Sequence, residues 1–75
     1  MKDDERKLAD AILAHCKEHP QTFLYVRDLV KELGINEKRA CFSLEKWAEK
    51  DWYGYGVSVL GGWLTEKGEK ELARE

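Results

Sequence analysis

An apolar stripe with helical spacing is the first pattern along the chain. Its members, at i, i+1, i+4, i+5 and i+8, are Leu8, Ala9, Ile12, Leu13 and Cys16. This spacing fits one face of a 3.6-residue period and predicts an amphipathic helix. We expect the helix to begin at Asp3 or Asp4, whose side chains can accept hydrogen bonds from first-turn amides. Pro20 disfavours helical geometry at the preceding residue, so the helix should end between Lys17 and His19.

The next positions predict a short strand followed by two helices. The segment TFLYV, residues 22–26, is β-branched and aromatic and predicts an isolated strand. The apolar face of RDLVKELG predicts a helix of about two turns, which Gly34 closes in the left-handed conformation. Asn36 is placed to cap a third helix that covers about residues 36–50.

The third predicted helix has two faces of different character. On a helical projection Leu44, Trp47 and Ala48 cluster within roughly 100° of one another, which predicts the buried stripe. Phe42 falls on the opposite face. The charged side chains around it are Lys38, Arg39, Glu45, Lys46 and Glu49. We therefore expect one large apolar side chain to face solvent in the middle of a face of mixed charge.

The segment WYGYGVSVLGGWLTEKG, residues 52–68, predicts a β-hairpin that leads into a fourth helix. Strands are expected near Trp52–Tyr55 and around Val57–Thr65. The tight turns are assigned to Gly54, Gly56, Gly61 and Gly62. Register around glycines is weakly specified, so the residues at the hairpin tip stay open.

The fourth helix is predicted to begin after Thr65, which is placed as its cap and puts Leu72 on the core side. Gly68 inside this helix costs about 1 kcal/mol relative to Ala, and we expect it to permit close approach to the hairpin. Large aromatic side chains in so short a chain are typical of the core. Trp52 is therefore expected to pack into the core after the third helix, and Trp63 beneath the last one.

Length and composition fit one small domain over residues 1–75. Apolar residues make up 43% of the chain and charged residues 37%, which favours a folded core with a solvated surface. The net charge of −2 gives no overall attraction to phosphate. The start, MKDDERK, lacks an apolar core, and no run approaches the roughly 20 apolar residues that span a bilayer. We therefore expect a soluble, cytoplasmic protein with no membrane contact.

Catalytic and metal-binding signals are weak. Cys16 and Cys41 match no Cys-x-x-Cys pattern and are interpreted as reduced thiols in or near the core. His15 and His19 lie near Cys16 but lack a fourth zinc ligand, and are expected at a solvated helix end. Ser43 lies in a helix without an assigned general base, and GYGVSVLGG lacks the lysine of a phosphate loop. The expectation is no enzyme, no metal, no cofactor and no small-molecule substrate.

Two stretches of the chain resemble winged-helix regulators. VRDLVKELGINEKRACFSLEKWAEKDW resembles their helix-turn-helix, in which LGI and a capping residue join the two helices. WLTEKGEKEL resembles the wing's return strand and following helix in regulators of the multiple-antibiotic-resistance and phenolic-acid-response types. The resemblance implies an α+β, winged helix-turn-helix fold with a three-helix core, a C-terminal β-hairpin wing and a short final helix. Asp51 stands where such families commonly carry Gly, and Asp tolerates the left-handed conformation this position needs.

The resemblance implies a small DNA-binding, transcription-regulator-like protein whose third helix reads double-stranded DNA. The contacts that it carries over to this chain are Asn36, Lys38, Arg39, Phe42 and Lys46, with Arg27 and Lys31 on the preceding helix as phosphate partners. Glu37, Glu45 and Glu49 oppose this role because they repel the backbone. From Phe23 to Lys50 six basic residues face five acidic ones, a net charge of only +1.

The uncharged hairpin supports a second hypothesis. No Lys or Arg lies between Asp51 and Glu66. Strands alternate faces, so some apolar side chains of the hairpin should stay exposed, and exposed apolar patches tend to mark interaction sites. The alternative function is therefore a winged-helix module that binds a protein partner or forms a homodimer without binding DNA. Its candidate contacts are Phe42, Tyr53, Tyr55, Val57, Val59 and Leu60.

Overall fold

A computed structural model describes residues 3–19 and 23–74, in which four helices accompany a three-stranded antiparallel sheet. The helices are α1 (Asp3–Glu18), α2 (Val26–Leu33), α3 (Glu37–Glu49) and α4 (Glu66–Arg74). The strands are β1 (Leu24–Tyr25), β2 (Tyr53–Tyr55) and β3 (Gly61–Leu64). The α+β class expected from the sequence is confirmed.

The residues predicted to end and begin the middle helices do so. Gly34 closes α2 in the left-handed conformation, with φ of 68°. The Asn36 side chain caps α3 by accepting a hydrogen bond from the backbone N–H of Arg39 at 3.2 Å. Asp51 follows α3 with a positive φ of 64°, as its place in the resemblance requires. Local side-chain chemistry therefore sets these helix limits.

The start of α4 ties the last helix to the hairpin. Thr65 Oγ1 accepts a hydrogen bond from the backbone N–H of Gly68 at 2.9 Å, and its hydroxyl donates to the carbonyl of Asp51 at 2.6 Å. A Cβ at Gly68 would lie 2.0 Å from the carbonyl oxygen of Trp52. The predicted close approach at this glycine is therefore confirmed, and it places α4 directly against the chain that enters β2.

The sheet has the order β1–β3–β2, and two strand predictions need correction. The strand expected over residues 22–26 is not isolated, because β1 pairs with β3. It is also shorter than predicted, because Val26 already begins α2. Residues 20–22 lie outside the described residues. The strand expected around residues 57–65 is also shorter. The Ser58 hydroxyl accepts a hydrogen bond from the N–H of Leu60 at 3.3 Å, and this local turn replaces ladder pairing before Gly61.

The core lies between the helices and one face of the sheet, here called the inner face. Its largest fully buried side chains are Trp47, Leu8, Ile12, Leu24, Leu44, Leu72 and Val26. Leu44, Trp47 and Trp52 are buried as predicted, whereas Ala48, the third residue of the predicted stripe, is half-buried. The prediction that Trp63 packs beneath α4 is wrong, because β3 turns this side chain to the opposite, outer face of the sheet.

Candidate interaction surfaces

The exposed face of α3 presents the side chains predicted to read DNA. Phe42 is 70% exposed, as expected. It lines a groove between α3 and the start of α1 together with Lys38, Arg39 and Lys46. The structure therefore brings together four of the seven predicted DNA contacts.

Acidic residues of α1 form the other wall of this groove. Asp4 Oδ2 lies 3.7 Å from Nη1 of Arg39, and Glu5 Oε2 lies 3.1 Å from Nζ of Lys46. Glu5 is buried and also accepts a hydrogen bond from Trp47 Nε1 at 3.0 Å. Two cations of the α3 face thus have carboxylate partners within the fold. The sequence analysis missed these acids because only the packing of α1 on α3 brings them near.

The remaining predicted DNA contacts lie apart from the groove. Asn36 uses its Oδ1 atom in the α3 cap. Arg27 and Lys31 are exposed on α2. Burial raises the pKa of the neighbouring Cys41 thiol, with Glu37 and Glu45 acting in the same direction and Arg27 opposing them. Arg27 therefore shares its surroundings with the acidic side chains of α3.

Two of the hairpin residues predicted to contact a partner belong to the core. Tyr53 is 3% exposed, its hydroxyl donates to the carbonyl of Val59 at 2.8 Å, and burial raises its pKa. Leu60 is 7% exposed. Assigning Tyr53 and Leu60 to the surface was wrong, because Tyr53 lies on the inner face of the sheet and Leu60 packs with the core. Val59 is half-buried, while Tyr55 and Val57 are exposed as expected.

The outer face of the sheet carries an exposed cluster that the sequence analysis did not single out. Its members, here called the aromatic face, are Phe23, Tyr25 and Trp63, which are 47%, 68% and 47% exposed. Tyr25 pairs with Gly61 in the β1–β3 register, and Trp63 pairs with Gly54 in the β2–β3 register. Continuing the first register by one residue sets Phe23 opposite Trp63. Strand alternation then places all three side chains away from the buried Leu24.

Glycines lie beneath two of these rings. A Cβ at Gly61 would lie 2.8 Å from Cζ of Phe23, and a Cβ at Gly54 would lie 2.5 Å from Nε1 of Trp63. The rings therefore rest on backbone that has no side chain to lift them. Phe23 also packs edge-to-face on Tyr25, with ring centroids 5.1 Å apart.

The aromatic face has free polar atoms but no charge of its own. None of the residues in β1, β2 and β3 is charged. Neither the Tyr25 hydroxyl nor Trp63 Nε1 has a hydrogen-bond partner among the residues that the structure describes. The signal in the sequence was the alternation around Leu24: once Leu24 is taken as buried, Phe23 and Tyr25 must face the other way.

The histidines and cysteines form no metal site in the described parts of the chain. His15 and His19 have ring centroids 5.0 Å apart at the end of α1. His19 is exposed, but His15 is half-buried and its Nε2 atom is buried without a hydrogen-bond partner in residues 3–19 and 23–74, so only His19 is solvated as predicted. Cys16 and Cys41 are free thiols, and burial and Glu69 raise the pKa of Cys16.

Comparisons with known proteins identify no relative of this chain. The chain shows no significant match to a protein-family model, a curated protein or a solved structure. Among the described helices, none is long and apolar enough to cross a membrane.

Proposed function

We propose that this chain is a winged-helix interaction module that binds a protein partner through the aromatic face. The observation that carries the proposal is the exposure of Phe23, Tyr25 and Trp63 together on one uncharged sheet face. Clustered exposed aromatic residues tend to mark interaction sites, and Trp and Tyr are enriched among the residues that dominate binding energy. The order of the elements and the β1–β3–β2 sheet are compatible with the winged-helix layout that the resemblance implies.

The distribution of charge favours protein over DNA as the partner. Binding to duplex DNA draws its affinity from cations that neutralise phosphates. Arg39 and Lys46 already face carboxylates of α1. The hairpin that would form the wing offers no cation, and Val57 near its tip is fully exposed. An apolar, uncharged hairpin is better suited to a protein surface than to a phosphate backbone.

Binding of double-stranded DNA is the second candidate function. The observation in its favour is that Lys38, Arg27 and Lys31 are exposed and form no ion pair within the described residues. Lys38 lies beside Phe42, so these two side chains would provide the centre of a DNA contact on α3. This proposal keeps the role of the third helix that the resemblance implies.

Selection from a random peptide library tests the first proposal. We expect peptides to be enriched on the wild-type protein and lost on Trp63→Ala, because the indole is a large exposed anchor. Phe42→Ser on α3 is the matched control, since it removes an even more exposed ring from the other surface. Enrichment that depends on Phe42 alone would contradict the assignment to the aromatic face. The absence of any enrichment on folded protein would contradict the proposed function itself.

A titration with mixed-sequence duplex at low salt tests the second candidate. Binding that weakens steeply with salt and falls in Lys38→Ala would support DNA as the partner. Trp63→Ala is the control in this experiment, because the aromatic face lies outside the α3 groove. The first proposal expects no salt-sensitive binding and no change in the resonances of α3.

A further inference from the structure

We infer that the segment recognised by the aromatic face is a short, uncharged, proline-containing peptide in the polyproline II conformation. This inference rests on the proposed function and names the chemistry of the partner. It depends on three observations. Phe23, Tyr25 and Trp63 are exposed together, Tyr25 and Trp63 have free polar atoms, and glycine backbone lies beneath Phe23 and Trp63.

The exposed area suits a short peptide and not a second copy of the chain. With about 200 Å² for each aromatic side chain, the exposed fractions amount to roughly 320 Å² of open surface. A stable interface between two folded proteins buries about 800 Å² on each partner. The aromatic face supplies less than half of this area, so a dimer would need contact surface beyond these three rings.

The chemistry of the face matches a polyproline II helix. This conformation makes no internal hydrogen bonds, so its carbonyl oxygens are free to accept. Trp63 Nε1 and the Tyr25 hydroxyl are donors without a partner among the described residues. Proline rings pack on aromatic faces, and domains that recognise proline-rich segments use grooves lined by such side chains. With no charge in the three strands, the face has nothing to pair with a charged ligand.

Both surfaces in this complex would be rigid before they meet. Phe23 rests over Gly61 and Trp63 over Gly54, so little rotamer freedom remains to be lost. Proline fixes φ near −65°, and the peptide therefore keeps much of its bound conformation when free. Binding between two preorganised surfaces loses less entropy, which allows a small contact area to give measurable affinity.

Single-stranded nucleic acid would also stack on exposed aromatic rings, but it needs a basic groove that follows its backbone. The chain from Trp52 to Thr65 contains no cation. Among the described residues, Arg27 lies at the start of α2 and Lys50 Nζ lies 4.5 Å from the ring centroid of the buried Trp52, and such isolated cations do not form a basic groove. The proline-containing peptide is therefore the ligand that the face fits best.

The test is a titration of the isotope-labelled protein with a capped oligoproline peptide. The indole N–H resonance of Trp63 should shift, while those of Trp47 and Trp52, whose side chains are buried, serve as internal controls. Trp63→Ala and Tyr25→Ala should each weaken binding by at least about tenfold. Phe42→Ser removes an exposed ring on α3, outside the aromatic face, and should leave the affinity for oligoproline unchanged.

Four results would overturn the inference. If the peptide library yields Trp63-dependent ligands without proline, and oligoproline causes no shift, the partner chemistry is wrong while the proposed function stands. If oligothymidine shifts the Trp63 indole and oligoproline does not, the ligand is nucleic acid. A dimer in sedimentation that Trp63→Ala dissociates would assign the face to a second copy. If neither oligoproline nor any library peptide binds the folded protein, the proposed function fails together with the inference.

Discussion

Both the exposed face of α3 and the aromatic face of the sheet carry exposed aromatic rings, but charged side chains surround the ring on α3 and none lies in the strands of the sheet. Phe42 is 70% exposed and Tyr25 is 68% exposed. Around Phe42 the cations Arg39 and Lys46 lie against carboxylates from α1, whereas no charged residue occupies the strands that carry Tyr25. A row of cations on a helix is therefore fully available to a partner only if the neighbouring helix leaves it unpaired.

The two surfaces also differ in what lies beneath the aromatic rings. Phe23 and Trp63 rest on the glycine backbone of neighbouring strands, so their positions depend on residues 61 and 54. Phe42 projects from a helix into a groove that is open to solvent. We therefore expect the aromatic face to be the better preorganised of the two surfaces.

The largest expected effect on the free energy of unfolding comes from comparing a residue on the inner face of the sheet with one on the outer face. Leu24→Ala should lower the free energy of unfolding by about 3 kcal/mol, because Leu24 is fully buried and its truncation leaves a cavity. Tyr25→Ala, one residue further, should cost less than about 1 kcal/mol, since most of its side chain is exposed. Urea denaturation of the two variants measures the difference. Equal losses would mean that Tyr25 is part of the core and that the aromatic face is not a free surface.

A second prediction concerns Glu5 of α1, whose carboxylate pairs with Lys46 of α3. Glu5→Ala should destabilise the fold by about 2 kcal/mol, because it leaves the Trp47 N–H buried without its acceptor and Lys46 without its carboxylate. Asp10→Ala is the control on the same helix. It removes only an exposed ion pair with Arg6 and should cost less than about 0.5 kcal/mol. Thermal denaturation distinguishes the two, and similar losses would show that Glu5 contributes no more than a surface charge.

The buried tyrosine of the inner face predicts a loss of stability at alkaline pH. Burial raises the pKa of Tyr53 above its unfolded value of about 10. The folded state therefore keeps a proton that the unfolded state releases, so the stabilisation is fully present below about pH 10 and falls as the pH rises further. Tyr53→Phe should cost about 1 kcal/mol at neutral pH by removing the hydrogen bond to Val59.

The matched control for this prediction is Tyr25→Phe on the outer face. The difference in stability between wild type and Tyr53→Phe should narrow above pH 10, as measured by urea denaturation at several pH values. Tyr25→Phe leaves Tyr53 in place and should keep the alkaline loss of the wild type. A gap between wild type and Tyr53→Phe that stays constant with pH would contradict the buried, protonated state of this side chain.

The sequence predicted well those features that nearby residues decide. The left-handed Gly34, the Asn36 cap and the Thr65 cap each act within three residues of their own position, so their chemistry can be recognised without a fold. The buried stripe of α3 follows from helical periodicity in the same way. The outward orientation of Phe42 was therefore predicted correctly from the opposite side of that projection.

The features that the sequence did not predict depend on distant partners. The strand β1 has two residues, and only its pairing with β3 shows that Tyr25 and Trp63 share a face. Tyr53 was assigned to the surface because the glycines around it left the register open. The pairing of Lys46 with Glu5 joins residues from separate helices and has no local signal. Other errors concern the elements themselves: β1 and β3 are shorter than predicted, and Gly54, Gly61 and Gly62, which were assigned to turns, lie in strands.

Gly54→Ala should give the smallest change in the free energy of unfolding. Its main expected effect is to displace Trp63 on the aromatic face. The added Cβ would lie 2.5 Å from Trp63 Nε1, so the indole must swing away from the strand. A glycine-to-alanine change in a strand gains about 0.5 kcal/mol from the unfolded state, which offsets the lost packing of the ring. The free energy of unfolding should therefore change by less than about 0.5 kcal/mol.

Gly56→Ala is the control, because nothing lies within 4 Å of its added Cβ. The indole N–H resonance of Trp63 and the affinity for oligoproline should change in Gly54→Ala only, since the indole loses its support. Equal behaviour of the two variants would mean that glycine does not position this ring.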